Sequence, residues 1–400
     1  MRTLLAFAAL SAALVPRCPA QEATALRDAE WIEREVGEGV VWRHTRTRLF
    51  AAPQSLNLLV VDRARAREPG AIRVAAPQPA ARVFTSSLAV SSGALGAVNG
   101  GFFDLKTGAA DGLLVVDGET LGAQSAARKV ALVVRKDGAP DIVPARDVDV
   151  RTVRGALAAG PWLVKDGEPV PHGRAEDPRH PRTAVGMNRD GALVFVTADG
   201  RDDAAAGLSL SELRAVMQAL GCVDALNLDG GGSTTMWLSG RGVVNYPCDD
   251  RRFDHAGERA VGNAITIFAP LVVVLDEDEA RCEPAADFAQ RHAKDAQDGD
   301  WLQSDAPTAR VVFELRLPRP GRYALELRVP SAARGAAWRV AVDGGEPREL
   351  RAGAARVGIG EITLDDQDHA IAVVLDPATG PLAVDALRAV ELVAPAARSR

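Results

Sequence analysis

The sequence predicts an α+β fold: a strand-rich mixed α/β domain followed by a C-terminal β-sandwich. Three observations carry this. Short apolar runs bounded by Gly, Pro and Asp-Gly recur through the first 270 positions. One stretch, 210–220, has a capped helical period. From 310 onward short strands recur between Pro/Gly turns with no helical period. The 400 residues exceed what one typical core serves, so two domains are expected. The boundaries read as a signal peptide at 1–20, a first domain at 31–272, a linker at 273–298 and the sandwich at 299–395.

Taken in order, Arg2 is a minimal positive region and Leu4–Val15 an apolar run. Cys18-Pro19-Ala20 places small residues where a signal peptidase cuts. The run falls short of the about 20 residues a membrane span needs, and no later apolar run is long enough. The expected product has no membrane span and is secreted or periplasmic. Val40-Val41-Trp42 and Leu56–Val61 read as strands, and 84–95 as a short helix. Gly96–Val98, 113–116, 130–134, 193–197, 223–228 and 264–268 read as further strands. Helix 210–220 has Ser209 as N-cap, Glu212 completing a capping box, Leu213, Val216, Met217 and Leu220 on one face, and Gly221 as its stop. Asp276–Glu279 reads as a solvated linker, and six strands are expected between 311 and 393.

Composition excludes several classes. With 47% hydrophobic and 25% charged residues the chain is neither disordered nor collagenous. A net charge of −6 argues against a general nucleic-acid-binding surface. Export permits disulfides; of Cys222, Cys248 and Cys282, the pair Cys222–Cys248 is preferred, though spacing does not fix connectivity. No Cys/His cluster has zinc spacing. No metal or other cofactor is expected; Asp-rich turns of exported proteins bind Ca²⁺, but no EF-hand pattern is present. Oligomeric state is not legible.

Five polar motifs punctuate the first domain. Asn99-Gly100-Gly101-Phe102-Phe103-Asp104 ends a strand in a turn whose glycines permit close backbone approach; Asp104 fits a turn role. Arg182 stands at a loop–strand junction, suited to clamping an oxyanion. Asp199 and Arg201 fall on one side of a strand by alternation. Asp229-Gly230-Gly231-Gly232-Ser233-Thr234 is the strongest signal. Its glycines cost backbone entropy that packing does not justify, and its amides form an anion-binding concavity. Asn227 and Asp229 share a face there. Arg259 and Asn263 share a face of the last strand. His172 and His180 read as solvent-exposed. The turn is neither a P-loop nor a nucleophile elbow.

In this order the motifs Asn99–Phe103, Arg182–Gly186, Asp199–Arg201, Leu226–Met236 and Arg259–Asn263 resemble the phosphodiester glycosidase family, over about residues 40–270. The tail, through Asp300-Trp301, Pro320–Tyr323, Trp338 and Val384–Leu387, more loosely resembles golvesin-like or carbohydrate-binding sandwich domains. The resemblance implies a hydrolase that cleaves between a sugar's anomeric carbon and a phosphate, acting on a sugar phosphodiester or a polysaccharide-linked one. A phosphate leaving group, with a second pKa of about 6, needs little acid assistance. One carboxylate as nucleophile or base, with arginines on the phosphate, would suffice. The catalytic candidates are Asp229, Asp199, Arg182 and Arg201, with the two aspartates exchangeable in role. The substrate-binding candidates are Asn99, Gly100, Gly101, Asn227, Gly230, Gly231, Gly232, Ser233, Thr234, Arg259 and Asn263. A non-catalytic polysaccharide-binding protein and a phosphodiesterase attacking phosphorus are the alternatives. Which sugar is cut, and whether its configuration is retained, is not legible.

Overall fold

The computed structural model describes residues 23–171, 177–292, 300–331, 335–351, 353–365 and 370–392. The expected signal peptide and His172 lie outside the described residues. The described strand pairs are antiparallel, and the molecule is strand-rich, with several sheets. The largest sheet has eight strands, in the order Ile32–Gly37, Val40–Leu49, Ala52–Val61, Leu193–Ala198, Arg182–Asn188, Cys222–Asn227, Trp162–Lys165 and Glu168–Pro169. Two five-stranded sheets accompany it, one built around Val153–Ala159 and one around Gly96–Asn99 and Ala264–Ile267.

Alternation decides where the two cores form. Odd-numbered residues of Ala52–Val61, such as Leu59 and Val61, join Phe195, Val185 and Leu226 in a core shared with Ile72, Val98, Leu132, Leu157 and Ile265 of the smaller sheets. Leu56 and Leu58 point the other way, under helix Leu210–Ala219. That helix forms as its sequence demands: Ser209 Oγ accepts from Glu212 N and the Glu212 carboxylate accepts from Ser209 N. Its Leu213, Val216 and Met217 are fully buried, each worth about 1.5–3 kcal/mol. The short helix expected near 84–95 spans Thr85–Ser92.

The inner face of the large sheet changes character along its length. One row across it, Trp42, Leu59, Phe195, Val185 and Leu226, is apolar. The next row, His44, Asn57, Thr197 and Thr183, is polar. Beyond it lie Ser55 and Asp199, and Arg46 faces Ser55 in register. Asn57, Thr197, Thr183, Ser55 and Asp199 are buried too, and these polar groups collect at one rim, where the motifs converge.

From residue 272 onward the chain builds sheets of four, five and three strands. Val311, Phe313, Leu315, Tyr323, Leu325, Leu327, Trp338 and Val373 from the two larger sheets are buried in one cluster. The segment read as a linker, 273–298, is ordered backbone through its described part. Val272–Asp276 pairs with Ala386–Glu391, Arg281–Glu283 with Arg310–Arg316, and Ala289–His292 with Asp300–Ser304. Nor is its acidic run solvated throughout: Asp276 is buried and lies 3.5 Å from Arg34. Arg388 joins the two halves, donating to Glu35 at 2.7 Å and to Glu326 at 3.0 Å. No described helix is long and apolar enough to cross a membrane.

Candidate active site

The glycine turn follows strand Cys222–Asn227 and sits at the polar rim. Asp229 N donates to Gly100 O at 3.0 Å, and Asn99 Nδ2 donates to Asp229 O at 2.7 Å. These bonds lock the two glycine motifs together. Asn99 spends its oxygen on Thr183 Oγ1 at 2.6 Å and Thr235 N at 3.1 Å. Asn263 Oδ1 accepts from Gly101 N at 2.7 Å, and Asn227 Nδ2 donates to Gly160 O at 2.9 Å. All three asparagines, read from sequence as substrate-binding, are buried and bond protein groups, though Asn227 does so through Nδ2 alone and its buried Oδ1 has no protein partner among the described residues. Gly100 and Gly101 serve the same braces: a Cβ at 100 would lie 2.2 Å from Asn263 Oδ1, and one at 101 would lie 2.9 Å from Ala158 O.

The triple glycine answers to crowding as well as to conformation, contrary to the sequence reading that packing plays no part. Gly231 has a φ of +63°. A Cβ on Gly230 would meet Pro181 O at 2.8 Å, on Gly231 Arg201 Nη2 at 3.1 Å, and on Gly232 Arg259 Nη2 at 2.3 Å. Most of the turn's amides are already engaged. Gly230 N donates to Asp229 Oδ1, Gly231 N to Pro181 O, Ser233 N to Gly230 O and Thr234 N to Gly231 O. Among the described residues this leaves Gly232 N–H of the turn for a ligand, so the expected amide concavity shrinks and positive charge comes mainly from the arginines around it. Ser233 and Thr234 are themselves buried.

These cations differ in how they are held. Arg259 pairs with Asp249 (Nε to Oδ1 3.1 Å), which holds its guanidinium above the usual range. Arg182 donates from Nε to Leu208 O at 2.9 Å and from Nη2 to Pro178 O at 3.1 Å, so it fastens the loop that precedes it. Arg201 touches Cys248 Sγ at 3.7 Å and His180 Nδ1 at 3.5 Å, neither of them a carboxylate. His180 is half-buried beside it rather than solvent-exposed, and burial followed by the charges of Arg201 and Arg182 lowers its pKa.

The two aspartates separate. Strand Leu193–Ala198 ends before Asp199, and Arg201 takes a φ of +65°, so the alternation that would align Asp199 with Arg201 stops. Asp199 turns inward and is fully buried, while Arg201 is exposed. Asp199 accepts from Ser55 Oγ at 2.6 Å, Asn245 Nδ2 at 3.0 Å and Tyr246 N at 2.8 Å. Burial pushes its pKa up against those bonds. Asp229 is half-buried at the turn. Burial raises its pKa too, opposed by the Ser233 hydroxyl, the Gly230 amide and the charges of Arg259 and Arg128. Asp104 is exposed and caps its own turn, accepting from Lys106 N and Thr107 N.

Several neighbours carried no sequence signal. Arg128 lies 3.6 Å above the Phe102 ring and donates to Asp111. Ser55 and Asp249 become partners only through the fold. Tyr246 stacks on Phe253 at 4.1 Å and on His255 at 4.4 Å, with Arg46 above it at 4.8 Å. The preferred disulfide is not formed: Cys222, Cys248 and Cys282 are free. Cys222 opens the strand whose far end carries the turn, and Cys248 sits by Arg201 at that far end. The strand alone separates them by about 17 Å, against the roughly 7 Å limit for a bridge. Burial beneath the helix pushes the Cys222 thiol up to about 12.

The strand-rich scaffold thus presents a glycine turn that bears one half-buried carboxylate, Asp229, with Arg201 and Arg259 beside it. Residues 92–268 match the family model described as Phosphodiester glycosidase. It is 32% identical over 169 residues to the SPbeta prophage-derived uncharacterized protein YomE of Bacillus subtilis, covering 40% of this chain and 25% of that one. It is 29% identical over 192 residues to mouse N-acetylglucosamine-1-phosphodiester alpha-N-acetylglucosaminidase, covering 42% of this chain and 36% of the relative. The chain thus spans well under two thirds of these relatives' length. The zebrafish form of that glycosidase, solved as a catalytic domain auto-inhibited by its pro-peptide, aligns with a TM-score of 0.47 and 22% identity over 60% of this chain and 82% of that one.

Proposed function

We propose that this chain is an exported hydrolase that cleaves a sugar-1-phosphodiester between the anomeric carbon and the phosphate oxygen. One observation carries the reading: the Asp229 carboxylate is seated at a turn against which the Arg201 and Arg259 guanidinium groups lie, with the stem of Arg182 beside them. The arginines would bind the phosphate and stabilise it as it departs. Asp229 would act at the sugar, as nucleophile or as base for water. With Asp229 as base, water gives its OH to the anomeric carbon and its proton to Asp229; with Asp229 as nucleophile, water does so as it releases the sugar from Asp229. The C–O bond pair goes to the phosphate oxygen, and the phosphate leaves as a monoester. Asp199, read from sequence as interchangeable with Asp229, becomes a positioning residue that holds Asn245 and Tyr246. No cofactor enters this reading. The family match and the mouse relative's named reaction support it.

The test is hydrolysis of a GlcNAc-1-phosphodiester or UDP-GlcNAc by the mature chain in ¹⁸O water. Label in the sugar supports the reading; label in the phosphate means attack at phosphorus and overturns it. Asp229→Asn should cost roughly 10³-fold or more in kcat without unfolding. An ionised Asp229 would place the acid limb of the wild-type rate profile above the ordinary carboxylate range, because its pKa is raised.

A further inference from the structure

We propose that the basic cavity lined by Arg128, which packs on Phe102 of the Asn99–Asp104 motif, is a second binding site, for an anionic group on the half of the substrate that leaves with the phosphate. The group is a phosphate or a carboxylate, and the inference rests on the hydrolase reading above. The cavity holds about 570 Å³ between residues 124–129 and 144–146. Arg128, Lys129 and Arg146 line it, and no Asp or Glu does. Arg146 leans on Asp147 at 3.5 Å on the exposed rim. Lys129 has no carboxylate partner among the described residues. Asp111 and Asp147 offset two of these three charges from outside the hollow, Lys129 is offset by none of the described residues, and an anion inside complements the positive charge that is left.

Arg128 connects this cavity to the active site. Its guanidinium lies flat on Phe102 and is fixed by Asp111 at 2.8 Å. Phe102 continues the strand end whose Gly100 O accepts from Asp229 N, and the Arg128 charge reaches the Asp229 carboxylate. The cavity wall is also preset. Gln124 Nε2 donates to Ala145 O at 3.1 Å, and Ala145 N donates to Lys129 O at 2.8 Å. These bonds tie together the two segments that carry Lys129 and Arg146. A substrate centred on Asp229 that extends past Phe102 therefore meets a preformed cationic pocket. The polar Gln124 and Ser125 beside the small apolar Ala126 and Pro144 suit a polyol carrying charge.

The test uses the full mature chain and the double variant K129A/R146A, which leaves Arg128 in place. Calorimetric titration with inorganic pyrophosphate and with glucuronate separates the two sources of charge. Wild type should bind at least one of them, and the double variant should bind that probe roughly tenfold more weakly or worse. With UDP-GlcNAc, which carries an extra phosphate, the variant's KM should rise by a similar factor with kcat unchanged, while a methyl GlcNAc-1-phosphodiester should not respond. Wild type that binds neither probe, equal binding by both proteins, or an equal KM shift on both diesters overturns the proposal. If neither diester is hydrolysed but the variant loses anion binding, the cavity stands and the hydrolase reading falls. Should K129A/R146A melt early, K129Q/R146Q carries the same comparison.

Discussion

Asp199→Ala and Asp199→Asn together separate bracing from chemistry. The carboxylate is fully buried and accepts three hydrogen bonds. Alanine leaves Tyr246 N–H without an acceptor and strips Asn245 Nδ2 of one of two, its bond to Thr234 O at 3.1 Å remaining. The Ser55 hydroxyl rotates elsewhere. Each abandoned buried donor costs about 1–3 kcal/mol, and removing a buried charge returns part of that. The net loss is about 2–4 kcal/mol, or roughly 10 °C in Tm for a domain of this size. Asparagine keeps an oxygen for Tyr246 and Asn245 and turns its NH₂ to the Ser55 hydroxyl, so D199N should melt within a few degrees of wild type. The two should also diverge with pH. Because burial raises the folded-state pKa of Asp199 above its unfolded value, its contribution is fully present below the ordinary carboxylate range and is lost as pH rises through the raised value. Wild type should therefore gain on D199N as pH falls toward 4 in scanning calorimetry. Turnover by D199N within about tenfold of wild type fits a brace. A D199N protein as inactive as D229N, or a D199A protein with an unchanged Tm, would refute this reasoning.

Other outcomes follow from the same geometry. Gly232→Ala should displace Arg259 and Asp249, whose atoms would lie 2.3 and 2.4 Å from the new Cβ, and cut kcat/KM by roughly tenfold or more while far-UV circular dichroism stays native. Arg182→Ala should lower Tm, because Pro178 O loses the Arg182 donor and Leu208 O keeps one of two, the His180 N–H; Arg201→Ala should leave Tm alone and raise KM instead. With no bridge among the described cysteines, dithiothreitol should not shift the melting transition.

Local signals were readable where they cause local structure. The Ser209–Glu212 capping box and the Leu213, Val216, Met217 stripe specify their helix without help from the rest of the chain. The order of polar motifs pointed to the family, and the structure gathers them at one rim. Their division of labour was not readable. Asn99, Asn227 and Asn263 look like ligand donors in a motif, yet each bonds protein groups, most of them distant in sequence. Asp199 and Arg201 diverge because Arg201 adopts a left-handed conformation that residue types alone do not announce. Arg128 has no motif around it; its meaning comes from a ring 26 positions earlier, Phe102. The 273–298 segment looked like a linker because two of its strands, Arg281–Glu283 and Ala289–His292, are short and polar, and only their partners make them strands.

The pairing of Val272–Asp276 with Ala386–Glu391 has a consequence for how the chain is made and cut. The first of these strands leaves the ribosome just after strand Ala264–Ile267, but its partner is the last described strand, more than a hundred residues later. Until Ala386–Glu391 is made, Val272–Asp276 is an open edge, the kind of surface that recruits other strands. A protein shortened anywhere within 277–385 keeps that edge permanently bare. Soluble expression of the first half alone therefore calls for a cut before Val272, just beyond strand Ala264–Ile267.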